Sequence, residues 1–147
     1  PRSTLFPYTT LFRSRDLYTN IHQKIGDNYG VITSYDGYDE ISLTSGFKIN
    51  TKYFEKVYTP IEMGLKYVKP SDIYGGNTAE EAMHIFDNVL ENKCTEAQKN
   101  VILANAACGI SLMEEGLTIS ETISKARESL ESGKALECFR KFVEINS

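Results

Sequence analysis

The chain has 147 residues, 41% of them hydrophobic and 24% charged, which suits one folded domain with its own core. With a net charge of −4, the chain lacks the excess of basic residues that is typical of nucleic-acid-binding proteins. No apolar run is long enough for a membrane-spanning helix. Cys94, Cys108 and Cys138 are odd in number and form no CxxC pair, so we expect free thiols in a reducing, cytoplasmic setting. We therefore predict neither a nucleic acid nor a membrane as a partner.

Residues 1–14 have neither a helical nor a strand period. They resemble the conceptual translation of a sequencing-library adapter over their whole length. We therefore expect 1–14 to be a non-native segment, with natural sequence beginning near Arg15 and the upstream part of the protein missing.

The next stretch predicts one helix and then strands. Leu17, Ile21 and Ile25 recur at helical spacing over 16–25, and Gly26 supplies a stop. A β-branched and aromatic run predicts a strand over 29–35. Apolar and polar residues alternate over 41–44, which predicts a second strand. Two further runs, 47–50 and 53–58, are expected to pair as a hairpin.

The second half of the chain is typical of helices. Three hydroxyl residues are each followed three positions later by Glu or Gln, which is the capping-box pattern of a helix start. These pairs are Thr78 with Glu81, Thr95 with Gln98, and Thr118 with Glu121. The run 101–113 is apolar on most sides and predicts a helix packed by several neighbours, with Gly116 as its C-cap.

Two adjacent carboxylates, Asp39 and Glu40, lie between the first two predicted strands. Like charges side by side are stable mainly where water or a cation screens them. Mg²⁺ is commonly held by one or two carboxylates together with substrate phosphates. The spacing alone also fits two ordinary turn acids, so both interpretations stay open at this point.

Four separated blocks together resemble anthranilate phosphoribosyltransferase. They are YDGYDEISLT at 35–44, DIYGGNT at 72–78, the segment 97–107, and ARESLESGKAL at 126–136. The resemblance implies the C-terminal portion, 15–147, of a phosphoribosyltransferase/nucleoside-phosphorylase-like α/β domain. An incomplete sheet should be followed by a helical C-terminal region, and the acidic turn should lie at the carboxyl edge of the sheet.

The resemblance also implies a reaction. The family transfers the phosphoribosyl group of phosphoribosyl pyrophosphate to anthranilate in tryptophan biosynthesis, and pyrophosphate leaves. Asp39 and Glu40 match the family's magnesium-binding pair, so Mg²⁺ is the implied cofactor and these residues its metal site. The implied parent is a homodimer. We expect this chain alone to be inactive: no catalytic residue is assigned to it, and its substrate contacts are expected in the missing N-terminal part.

The sequence departs from the family pattern in two places. Thr33 stands where many members have His, and Ser45-Gly46 replaces a more common Gly-Pro. Two other functions remain as alternatives: a related nucleoside phosphorylase, and a non-catalytic phosphoribosyltransferase-like protein that binds nucleic acid. The acidic pair argues against the first, since phosphorolysis needs no metal-bound pyrophosphate. The acidic balance of the chain argues against the second.

Overall fold

The computed structural model describes residues 6–147, and describes side chains from residue 13 onward. In that part of the chain, a three-stranded sheet is followed by a helical region, which is the predicted α/β arrangement. The elements in chain order are α1 (Phe6–Ile25), β1 (Gly30–Ser34), β2 (Phe47–Thr51), β3 (Glu55–Tyr58), the short 3₁₀ helices Ile61–Met63 and Pro70–Ile73, α2 (Ala79–Leu90), α3 (Glu96–Met113), α4 (Ile119–Glu131) and α5 (Lys134–Ile145).

The predicted first helix is present and begins earlier than expected, at Phe6. Once a helix is nucleated, each added residue gains one hydrogen bond, so extension into flanking sequence costs little. Gly26 ends the helix as predicted, with φ +84° and its N–H donating to the His22 carbonyl at 2.9 Å. Residues 1–5 of the adapter-like segment lie outside the described residues, and the non-native origin of 1–14 stays a prediction.

The sheet is antiparallel, in the order β1-β2-β3. The predicted hairpin is confirmed, because β2 and β3 pair in the register that places Phe47 opposite Tyr58. Phe47 is fully buried, and its ring stacks on that of Tyr58 with centroids 5.9 Å apart. Since side chains alternate across a strand, Ile49 is buried on the same face, two residues along from Phe47.

The predicted strand over 41–44 is wrong. The chain forms an irregular loop there, although Ile41 and Leu43 are both fully buried, as their alternation indicates. Leu43 has a φ of +60°, a left-handed conformation that an extended strand does not contain. The buried backbone of this loop is instead satisfied by side chains and by a distant N–H group.

The helix α3 packs against α4, β1 and the second 3₁₀ helix, which confirms the prediction of a helix packed on several sides. Two apolar clusters result. The first joins the loop and sheet to α3 and α4, through Ile41, Leu43, Phe47, Ile49, Met63, Leu65, Ala104, Ala107, Cys108 and Ile123. The second lies among the helices and contains Val89, Leu103, Ala126 and Leu130.

Two details of the predicted helix ends need correction. Thr78 accepts from the Glu81 N–H at 3.1 Å, but the Glu81 carboxylate turns to the Asn77 N–H instead of completing the box. The helix α3 ends at Met113, and Gly116, with φ +85°, is a turn residue beyond the cap rather than the cap itself. Glu114 takes an extended conformation, so the helix stops earlier than the glycine suggested. The other two capping boxes are complete.

The outer helices bury little. The side chains Phe86 of α2 and Phe139 of α5 meet edge to face, with ring centroids 4.9 Å apart, yet both remain partly exposed. Leu17 and Ile25 of α1 are exposed as well. Across the described residues, no helix is both long and apolar enough to span a membrane.

Candidate functional site

The acidic pair lies in the loop between β1 and β2, as predicted for a position just after a strand. β1 ends at Ser34, and Gly37 reverses the chain with φ +90° before Asp39 and Glu40. Both acids are exposed, and the chain dips into the core immediately afterwards at Ile41. The two carboxylates therefore lie between a glycine turn and a buried anchor.

Asp36 holds the two sides of this loop together. Its Oδ2 accepts hydrogen bonds from the hydroxyls of Ser42, at 2.7 Å, and of Thr44. Its Oδ1 accepts from the Tyr38 N–H at 3.4 Å. Partial burial acts to raise the pKa of Asp36, but the bonds from Thr44, Ser42 and Tyr38 together outweigh it and leave the pKa below its ordinary value. Asp36 therefore takes part in the loop's own structure.

Asn105 of α3 anchors the loop from the other side. Its Oδ1 accepts from the Ile41 N–H at 3.0 Å, and its Nδ2 donates to the Ile41 carbonyl at 2.8 Å. In an antiparallel sheet, a residue exchanges both of these bonds with one residue of the next strand. The amide of Asn105 takes that strand's place, which explains why a strand-like pattern at 41–44 has no strand partner.

The small residues of α3 allow this close approach. Ala104 and Ala107, which flank Asn105 on the helix, are fully buried in the same cluster as Ile41 and Leu43. The Leu43 carbonyl accepts from the Val68 N–H at 3.1 Å, so the loop is also tied to the segment before the second 3₁₀ helix. Three separate parts of the chain thus fix the segment that follows the acidic pair.

Asp39 and Glu40 form no hydrogen bond or ion pair with any residue that the structure describes. The described residues also contain no group of three His, Cys, Asp or Glu side chains placed to hold a metal ion. Two exposed carboxylates whose oxygens accept no hydrogen bond from a described residue are nevertheless suitable ligands for a hard cation that keeps much of its water shell. The pair fits a magnesium site completed by water and ligand phosphate, and does not fit a closed metal centre made of protein groups alone.

The block 72–78 forms a rigid connector. Asp72 caps the second 3₁₀ helix by accepting from the Lys69 N–H at 3.0 Å. Gly76 has φ +90°, and a Cβ placed there would meet the Glu81 Cβ at 2.6 Å. The glycine is therefore required both by conformation and by space. Thr33, which stands where many family members have His, is buried in β1 opposite Lys48.

A separate cleft of about 660 Å³ lies between the β2–β3 hairpin and the α3–α4 turn. Aromatic side chains line it on the hairpin side, and a mixture of polar and aliphatic residues lines it on the helix side. Its walls include Tyr53, Phe54, Lys56, Tyr58, Glu115 and Thr118. Neither Asp39 nor Glu40 lies in it. No local pattern in the sequence predicts this cleft, because its two walls come from elements far apart in the chain.

Sequence reasoning also missed Asp36 and Asn105. Asparagine is a poor helix former, because its side chain competes for backbone hydrogen bonds. An asparagine among Ala104, Ala106 and Ala107 in the middle of an apolar helix was the available signal. For Asp36, the signal was the pair of hydroxyls, Ser42 and Thr44, that follow on the same face of a strand-like run.

Comparison with known proteins gives the context of this site. A model of the glycosyl transferase family, a/b domain, matches residues 15–136. Among curated proteins, the anthranilate phosphoribosyltransferase of Phocaeicola vulgatus is 53% identical over 131 residues, which is 89% of this chain and 40% of that protein. The Bacteroides fragilis protein of the same name is 51% identical over 88% of this chain and 39% of its own length.

Solved structures agree on the fold. The Saccharomyces cerevisiae anthranilate phosphoribosyltransferase in complex with PRPP and Mg superposes with a TM-score of 0.78 at 23% identity, covering 88% of this chain and 38% of that one. The Thermus thermophilus enzyme also gives 0.78, at 21% identity, over 90% of this chain and 40% of its own. At these identities the likeness establishes the fold alone.

The chain spans about two fifths of the length of these curated relatives, 40% in the first case. The family match starts at residue 15, directly after the adapter-like segment, and runs to residue 136. Because the match extends over most of the chain, the protein belongs to the glycosyl transferase family and carries part of its a/b domain.

Proposed function

We propose that this chain is part of an enzyme that transfers the phosphoribosyl group of phosphoribosyl pyrophosphate to the amine of anthranilate, releasing pyrophosphate. The support is the identity of 53% to the Phocaeicola vulgatus anthranilate phosphoribosyltransferase over 131 residues, which is 89% of this chain. Related yeast structures hold PRPP with Mg, and in another case 4-fluoroanthranilate.

The role of the acidic pair in this proposal is to bind Mg²⁺. When bound, the cation would neutralise the negative charge that grows on the departing pyrophosphate. Asp39 and Glu40 would supply carboxylate oxygens, directly or through ordered water. Their exposure and their lack of partners among the described residues are the observations that support this role. Neither residue is proposed as a general base.

We further propose that binding to this chain alone is weak. In magnesium sites of this kind, most ligands are water and substrate phosphate. Two carboxylates on one loop therefore provide only part of the coordination. Tight, stoichiometric Mg²⁺ binding to the 147-residue chain in the absence of phosphate ligands would contradict this view.

A chimera tests the activity. Residues 15–147 replace the matching segment of the Phocaeicola vulgatus enzyme, and loss of anthranilate fluorescence is followed with and without phosphoribosyl pyrophosphate and Mg²⁺. We expect turnover that depends on both. A folded chimera that leaves anthranilate unchanged would overturn the assignment.

Within the same chimera, Asp39→Asn and Glu40→Gln test the acidic pair. We expect each substitution to raise the Mg²⁺ concentration needed for half-maximal rate by about tenfold or more. Glu80→Gln and Asp87→Asn are matched controls, because both remove an exposed carboxylate from α2. Equal effects of all four substitutions would remove the special role of the pair.

A further inference from the structure

We propose that Asn105 is a positioning residue for the acidic pair: by clamping the Ile41 backbone to α3, it fixes where Asp39 and Glu40 present their carboxylates. This inference rests on the metal-binding role proposed above. It adds a residue far away in the sequence, 64 positions along the chain from Ile41.

The clamp uses nearly all of the bonding capacity of the amide. One Nδ2 hydrogen goes to the Ile41 carbonyl at 2.8 Å and the other to the Val101 carbonyl at 2.9 Å. Oδ1 accepts from the Ile41 N–H at 3.0 Å. Only this orientation of the amide works, because a flipped group would set its NH₂ against the Ile41 N–H. The bond to the Val101 carbonyl also holds the side chain against its own helix.

The hydrogen bonds of Asn105 restrict the acidic pair because they hold the residue next to it in the chain. Asn105 lies in the middle of α3, away from either helix end, with Ala104 and Ala107 buried beside it. Ile41 directly follows Glu40, so their Cα atoms are about 3.8 Å apart. Holding both polar groups of the Ile41 backbone therefore restricts the rotation of the peptide that carries Glu40.

The other hydrogen bonds that hold the described part of the loop do not tie its acid-bearing end to a helix. Asp36 joins residues 36, 38, 42 and 44 to one another, but all of these belong to the same loop. The Leu43 carbonyl accepts a hydrogen bond from the Val68 N–H, but Leu43 lies two residues further along the chain from the acids than Ile41 does. Among the described residues, Asn105 provides the hydrogen bonds that connect the acid-bearing end of the loop to a helix.

The test uses the 147-residue chain, amide hydrogen exchange and Mn²⁺ as a paramagnetic probe for the Mg²⁺ site. Asn105→Ala should lower the exchange protection of the Ile41 N–H by about tenfold relative to the rest of the core. It should also raise, by about tenfold, the Mn²⁺ concentration that halves the amide signals of Asp39 and Glu40. Asn105→Ser serves as a second variant: its hydroxyl still bonds to the Val101 carbonyl within the helix, but is too short to clamp Ile41.

Asn92→Gly is the matched control. It removes another asparagine-to-backbone bond, from Nδ2 to the Leu130 carbonyl at 2.9 Å, while glycine keeps the positive φ of 59° at that position. We expect this control to lower stability without changing the Mn²⁺ response.

Each outcome bears on a different claim. If Asn105→Ser loosens Ile41 but leaves the Mn²⁺ response as in the unsubstituted chain, the positioning role is overturned and the metal role stands. If Ile41 stays protected in both variants, the clamp itself is overturned. If Mn²⁺ does not broaden Asp39 and Glu40 even in the unsubstituted chain, the proposed metal role fails, and the positioning role fails with it.

Discussion

The Ser42 hydroxyl donates a hydrogen bond to Oδ2 of Asp36 at 2.7 Å, and this bond joins the two sides of the loop that carries the acidic pair. Thr44 donates to the same oxygen. The loop is therefore closed at its base by one carboxylate that accepts two hydroxyls. The ionised carboxylate is the stronger acceptor of both, which is why these bonds lower the pKa of Asp36.

The loop should consequently loosen in acid. Because the pKa of Asp36 is below its ordinary value in the folded chain, its contribution to stability is present above the unfolded pKa and is lost as pH falls through the folded one. The relevant window lies below about pH 4. Urea unfolding at a series of pH values should show a smaller loss of stability on acidification for Asp36→Asn than for the unsubstituted chain. Equal profiles for Asp36→Asn and the unsubstituted chain would contradict the prediction.

The space between the loop and α3 should not tolerate larger side chains. Ala107 is fully buried against the loop cluster, whereas Ala106, its neighbour on the same helix, is exposed. We expect Ala107→Leu to lower the free energy of unfolding by about 1–3 kcal/mol, because the extra methyl groups force the loop away. Ala106→Leu should change it by less than about 0.5 kcal/mol. Similar urea midpoints for the two variants would show that the loop does not pack where the structure places it.

Features that depend on residues close together in the chain could be predicted from the sequence, and features that depend on distant residues could not. Helix starts at Thr95 and Thr118 depend on residues three positions apart, and the structure confirms both boxes. The strand over 41–44 failed for a physical reason: Ile41 and Leu43 are buried whether the partner is a strand or the Asn105 side chain, and a local pattern does not distinguish the two.

The candidate site shows the same division. The position of Asp39 and Glu40 in a loop after a strand could be predicted, because the charges and the glycine are local. The supports of that loop could not, since Asn105 and Val68 reach it from distant parts of the chain. The cleft beside Tyr53 could not be predicted from the sequence either, because it forms only where the hairpin faces the α3–α4 turn.

Phe47 should be the most costly aromatic residue to truncate. It is fully buried in the first apolar cluster and stacks on Tyr58. Phe47→Ala should lower the free energy of unfolding by about 3–5 kcal/mol, because it removes buried area and leaves a cavity. Phe142→Ala, on the exposed face of α5, is the matched control and should cost less than about 0.5 kcal/mol. Thermal denaturation followed by circular dichroism measures both, and a Phe47 variant as stable as the control would contradict the assigned core.

Cys108 and Cys138 should differ sharply in the rate at which their thiols react. Burial raises the pKa of the Cys108 thiol from 9.0 to about 12, whereas Cys138 is exposed on α5. At pH 8 only about one Cys108 in ten thousand is then the reactive thiolate, and it is shielded by the core as well. Iodoacetamide labelling mapped by mass spectrometry should modify Cys138 at least about a hundredfold faster than Cys108 in the native chain.

In urea the labelling rates of Cys108 and Cys138 should converge, which provides the internal control.

The raised pKa of Cys108 also predicts that the folded chain loses stability at alkaline pH. Because the folded chain keeps the Cys108 proton to higher pH than the unfolded chain does, the stabilising effect of the neutral thiol is fully present below the unfolded pKa of 9.0 and is lost as pH rises towards the folded pKa of about 12. Cys108→Ala should flatten the decline of stability between about pH 8.5 and 11. Rapid native labelling of Cys108, or an unchanged alkaline profile in this variant, would contradict its burial in the first apolar cluster.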